Sequence, residues 1–199
     1  MSTWSSVVQF ALLLLLLQSA AISGYGDHER HRLTSQAAHK LSAITNQAVA
    51  QATDLADNVV EDLLLLDSQN SIMLGYLTNF ESFLGIGEQQ ANHTLENFFD
   101  IVSQFLDADA AEQADTLETQ LIAMCLQRNG FDRWKRTVQL RTTQLVKSFG
   151  RKLRKHLDTL DLEERVPVEQ RWQHIETRDG QIKLEKLRKF INWLGSNAH

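Results

Sequence analysis

Few residues of this chain have the type and spacing that chemistry needs. The single cysteine, Cys125, sits in the apolar run Leu121-Ile122-Ala123-Met124-Cys125-Leu126 and is expected to be a buried, inert thiol. Its other use would be a disulfide between two chains, because an odd cysteine in an oxidising compartment pairs intermolecularly. A catalytic thiol needs a base and electropositive surroundings, and no histidine lies near Cys125 in sequence. His28 and His31 are spaced as a ligand pair but lack the further ligands that a zinc site requires. They read as part of a solvated terminal segment. The adjacent carboxylates Glu61/Asp62 and Glu163/Glu164 cannot share one helical face. No G-x-S-x-G, H-E-x-x-H or glycine-rich phosphate loop occurs. The chain therefore reads as a non-enzyme, with no catalytic residue, metal site or cofactor assigned.

Two motifs carry modification chemistry. Asn92-His93-Thr94 is an N-glycosylation sequon, and the polar neighbours Glu88-Gln89-Gln90 argue that Asn92 is exposed. Arg133-Trp134-Lys135-Arg136 fits an R-x-K-R processing pattern, and Gly150-Arg151-Lys152 resembles an amidation signal. Together they would release residues 137–149. A helical pattern runs through both sites unbroken, so both are read as polar positions of one amphipathic helix.

That helix also carries an uneven charge. Residues 27–126 hold 16 acids and 3 bases, residues 127–156 hold 1 acid and 10 bases, and the remainder is nearly neutral. At about 100° per residue, Phe131, Trp134, Val138, Leu145, Phe149, Leu153, Leu157 and Leu160 fall in one broad arc. Arg133, Arg136, Lys147, Arg151, Arg154 and Lys155 occupy the opposite arc, with almost no carboxylate at the i±4 positions that would balance them. Either the acidic first half neutralises this face within the fold, or the face engages an extracellular protein or an anionic surface, glycosaminoglycan or lipid headgroups.

The elements that must position these residues are helical. Positions 37, 41, 44, 48, 55, 59, 63 and 66 repeat at three and four, predicting a long first helix over 33–66 whose small residues allow close approach and offer a seam for an oligomer. Ile72, Tyr76, Leu77, Phe80, Phe83 and Leu84 outline a second helix, stopped at Gly85 and Gly87. Leu95 to Leu106 form a third, with Phe80, Phe83, Phe98, Phe99 and Phe105 as core. Asp109 and Glu112 resemble a capping box, so a fourth helix is expected from there to Arg128, with Leu117, Leu121 and Cys125 on one face and Gly130 as the left-handed terminal residue. A fifth spans 132–160. Pro167 suits the first turn of a sixth, Gly180 its end, and residues 182–194 a seventh. No stretch alternates with period two, so the fold class is all-α: an antiparallel bundle of four to five main helices over 33–162, with a smaller C-terminal helical pair over 167–194.

The start of the chain sets the compartment. Six leucines, Leu12 to Leu17, lead into small residues, and the pairs Ser19/Ala21 and Ala21/Ser23 both satisfy the small-x-small rule of signal peptidase. Residues 1–23 are expected to be a signal peptide, 24–32 a flexible segment and 33–199 one helical domain. An uncleaved anchor is the rival reading, because the leader has no Lys or Arg before its apolar run and that run approaches the roughly 17-residue minimum for a bilayer span. Secretion makes nucleic acid an unsuitable partner for the basic face. A second class of function, carriage of lipid or another apolar ligand, would use the phenylalanines as a lining. Expression in eukaryotic cells is expected to yield protein in the medium beginning at Ile22 or Gly24; mass spectrometry that finds Met1 in a membrane pellet would restore the anchor reading.

Overall fold

The computed structural model describes the backbone of residues 3–66, 70–86, 91–106, 116–176 and 180–196, and the side chains among these from residue 28 onward except 180–182. The expected leader and the Asp109/Glu112 capping box lie outside the described side chains. Among the described residues the chain is all-helical: seven α-helices, one 3-10 turn and no strand. The helices are α1 (Thr3–Leu65), α2 (Ser71–Gly85), α3 (Ala91–Ile101), α4 (Leu117–Arg128), α5 (Phe131–Leu157), α6 (Leu162–Glu176) and α7 (Gly180–Ser196), with the 3-10 turn at Ser103–Phe105. No helix among the described residues is long and apolar enough to cross a membrane.

The chain divides into two compact units, one of Lys40–Gln144 and one of Met1–His39 with Leu145–His199. In the first, α1 presents a face rich in small residues, with Ala48, Ala52, Ala56 and Val59 all buried. Trp134 of α5 meets that face and donates its indole N–H to the Ala48 carbonyl at 3.0 Å. The small side chains are what admit so large a ring. Phe98 stands edge-on to Trp134 at 4.9 Å between centroids, and Phe99 and Phe131 lie 5.2 and 5.9 Å from it. Phe80 and Phe83 of α2 close around Phe98. All five phenylalanines expected in the core are buried.

In the second unit, α5 packs Leu145, Phe149, Leu153 and Leu157 into a core with Val168, Trp172 and Ile175 of α6 and Leu184, Leu187, Phe190 and Leu194 of α7. Trp172 sits 5.3 Å from Phe149 and 5.5 Å from Phe190. Its ring fits directly over buried Gly150, where an added Cβ would lie 2.9 Å from Trp172 Cζ2.

Several boundaries differ from the sequence reading, each for a local reason. The long first helix begins at Thr3 rather than near residue 33, and within its seam Ile44 is only half-buried while Leu66 is exposed. The third helix ends at Ile101, and Val102 leads into the tighter turn that carries buried Phe105. No single helix runs from residue 109 to Arg128: Thr116 is extended (φ −133°, ψ 155°) and its hydroxyl accepts from the Thr119 N–H, capping a fresh start at Leu117. On α4 the buried face is Ile122, Ala123 and Leu126, so Leu117 is exposed and Leu121 and Cys125 are half-buried. Gly130 does take the expected positive φ, 89°, which lets its N–H reach the Gln127 carbonyl at 3.1 Å.

Pro167 lies inside α6, not in its first turn. The helix starts earlier because Asp161 caps it, accepting from the Glu164 N–H through Oδ1 at 3.0 Å. The ion pair from Arg165 Nε to Glu169, at 2.7 Å, then spans the turn in which the proline supplies no N–H. Gly180 opens α7 instead of closing α6, which ends at Glu176.

Gly150→Ala sets two effects against each other. Alanine is the better helix former by about 1 kcal/mol, but its methyl would overlap Trp172, and overpacking of this kind costs about 1–3 kcal/mol. Urea denaturation is expected to show Gly150→Ala less stable than wild type, and Gly150→Ala in a Trp172→Phe background to recover most of the loss relative to Trp172→Phe alone.

Candidate functional surfaces

The basic residues singled out from sequence divide between the two units and are best taken separately. Arg133 and Arg136 are both exposed on the first two turns of α5. Arg136 Nε donates to the Asp132 carbonyl at 3.2 Å, and the Asp132 carboxylate faces Lys135 at 3.7 Å. Lys135 also reaches back to the Leu106 carbonyl at 2.9 Å, so it ties down the end of the 3-10 turn.

Lys147, Arg151, Arg154 and Lys155 form a stripe along the other half of the helix. All four are exposed, and their spacing of four, three and one places them within one side of the cylinder. The opposite side is Phe149, Leu153 and Leu157, all at most 2 % exposed, so core packing fixes the stripe's outward aim. Arg154 meets Glu176 of α6 at 3.4 Å. Lys147, Arg151 and Lys155 make no ion pair or side-chain hydrogen bond with a described residue. Next to them Lys152 donates to Gln36 at 2.8 Å, without a carboxylate partner. The unit that carries this stripe holds 14 Lys and Arg against 10 Asp and Glu, whereas the other holds 6 against 15.

Asn92 is exposed in the first turn of α3, while Thr94 of the same sequon is buried at 2 %. His28 and His31 are exposed on α1, and among the described residues no three His, Cys, Asp or Glu side chains come together as a metal site would need.

Cys125 is a free thiol, half-buried rather than buried as its apolar neighbours suggest, because the face of α4 that packs inward is the adjacent one. Burial raises its pKa first, the Asp62 carboxylate raises it further, and the Arg128 guanidinium opposes both. Asp62 accepts from Asn129 Nδ2 at 2.8 Å and pairs with Arg128 at 3.4 Å, so all these charges meet where α4 ends beside α1.

One group escaped the sequence reading altogether. Arg171 of α6 lays its guanidinium 4.2 Å over the ring of Trp193 of α7, beside Lys186 and Lys189. Each helix shows these residues at three-four spacing, but a cation on a tryptophan 22 residues away leaves no trace in linear order.

The Cys125 environment predicts its reactivity. A raised pKa lowers the thiolate fraction at neutral pH, so alkylation by iodoacetamide in folded protein is expected to rise at higher pH than for free cysteine. Asp62→Asn should move that midpoint down and Arg128→Gln should move it up, as followed by mass spectrometry across a pH series.

Set against known proteins, the chain matches no family model, no curated protein sequence and no solved structure.

Proposed function

We propose that the chain is a secreted, non-enzymatic helical binding protein that engages an anionic partner, sulfated glycosaminoglycan or anionic lipid headgroups, through Lys147, Arg151, Arg154 and Lys155 of α5. The observation that carries this reading is the stripe's lack of carboxylate partners: among the described residues, Arg154 alone of the four pairs with one. The one pair that the stripe forms among the described residues uses Glu176, from its own unit. Arg133 and Arg136 add positive charge on the same helix but lie in the other unit.

The compartment rests on the leader over 1–23 and is compatible with an exposed Asn92 that would carry a glycan. An antiparallel bundle is the arrangement that short connections favour, and the half-buried Cys125 thiol is the feature an oligomer would use, since the seam of α1 is covered within the chain's own fold. Carriage of lipid among the phenylalanines is the weaker reading, since Phe80, Phe83, Phe98, Phe99 and Phe105 are buried against other aromatic rings of their own unit.

Each stripe cation near an anionic membrane contributes on the order of 1 kcal/mol, screened by salt over a Debye length of about 8 Å at physiological ionic strength. Lys147→Glu/Arg151→Glu/Lys155→Glu spares the Arg154–Glu176 pair and the core. Its retention on heparin and on phosphatidylserine vesicles is expected to fall at least about tenfold below wild type, with an unchanged circular dichroism spectrum and a steep salt dependence in wild type only. Equal, weak retention of both proteins would remove this surface from consideration.

A further inference from the structure

Between α6 and α7 lies an open cleft of about 200 Å³ whose chemistry none of the foregoing uses. Its floor is apolar: Ile175 and Phe190 are 3 % and 4 % exposed. Trp193, half-buried, forms a wall. The rim is cationic, with Arg171 from one helix and Lys186 and Lys189 from the other. On α7 the residues Lys186, Lys189, Phe190 and Trp193 are spaced as one helical face, so the cations and the rings converge on the same space.

The three cations are not equally engaged. Lys189 is held by Glu185, whose carboxyl that hydrogen bond keeps below the usual carboxylate range. Lys186 is half-exposed and makes no hydrogen bond or ion pair with a described residue. Arg171 sits over Trp193 at 4.2 Å and makes no hydrogen bond or ion pair with a described residue, so its N–H groups remain available to grip a carboxylate by two parallel bonds. His174 completes the rim, and among the described residues no carboxylate lines the cleft.

We infer that this cleft is a binding site for a small amphiphilic carboxylate, a medium-chain fatty acid, with its tail on Phe190, Ile175 and Trp193 and its acid group against Lys186 and Arg171. The apolar floor asks for hydrocarbon, and Lys186 and Arg171, neither paired with a described carboxylate, ask for an anion, and one molecule satisfies both only if the two parts are joined. Size narrows the class further. The cleft is smaller than the roughly 300–1,000 Å³ of sites for drug-sized ligands, which suits one short chain. This inference is independent of the α5 reading, because it uses different helices and a different ligand.

Isothermal titration of the full mature chain with sodium decanoate, kept below its micellar concentration, provides the test. One saturable site is expected, with decanol and acetate each binding much more weakly because each lacks half of the ligand. Lys186→Gln and Arg171→Gln are each expected to weaken decanoate by about three- to tenfold, the range of a charge-assisted contact at a half-exposed position. Lys186→Arg should retain binding, and Lys152→Gln, on α5, should leave it unchanged. Two replacements on separate helices keep the test informative if one of them disturbs folding, which circular dichroism would reveal. The inference is overturned if decanoate shows no saturable site, if decanol binds as tightly, or if both Gln variants fold and bind as wild type does.

Discussion

Burying the Trp134 indole sets the terms for the unit around it. An indole N–H taken out of water without a partner would cost about 1–3 kcal/mol, so the ring must find an acceptor. It finds the carbonyl of Ala48, which is reachable only because α1 is stripped to alanine on that face, at Ala48 and Ala52. With the ring so fixed, Phe98, Phe99 and Phe131 have one place to pack, and edge-on or offset aromatic pairs add about 0.5–1.5 kcal/mol each beyond area burial. Further along α5 a different small residue makes room for a second ring, since Gly150 admits Trp172, although there the buried indole N–H meets no acceptor among the described residues. Thus each unit seats a tryptophan where a neighbouring helix or its own partner gives up a side chain, and α5 takes part in both seatings.

The consequence for function is that α5 is held from its apolar side, so its charged side is aimed outward by packing rather than by ion pairs. Lys147 with Arg151, and Arg151 with Lys155, are like-charge pairs at i,i+4, which disfavour an isolated helix by about 0.2–0.5 kcal/mol per pair. Within the stripe only Arg154 and Lys155, in the last turn, are favoured by the helix dipole. The unit that bears the stripe holds 14 cations against 10 acids, an excess of the sign that attracts anions.

The α6–α7 face uses charge differently. Arg171 sits over Trp193 and Lys189 is bound to Glu185, whereas Lys186 makes no hydrogen bond or ion pair with a described residue. The stripe on α5 suits extended, repeating anions approached from solvent. The cleft suits a single acid group joined to a short apolar body.

Period and punctuation in the sequence determined the helical class, the phenylalanine core, the left-handed turn at Gly130 and the outward arc of basic residues, because helix periodicity and glycine's freedom at positive φ act over a few neighbouring residues. The start of α6 was legible too, in the Asp161-to-Glu164 cap, but Pro167 is a stronger-looking signal for a first turn and points to the wrong residue. Thr116 interrupts what otherwise reads as one helix, since extended backbone at a single capping position leaves the surrounding composition unchanged. What only the tertiary structure decided is which of two adjacent faces turns inward and which distant residues meet. On α4 a rotation of one residue separates buried Ile122 and Leu126 from exposed Leu117 and half-buried Cys125, and both faces are apolar enough to pack. The meeting of Gly150 with Trp172 and of Arg171 with Trp193 depends on helices placed side by side, and linear order specifies the period of each helix but not its neighbour.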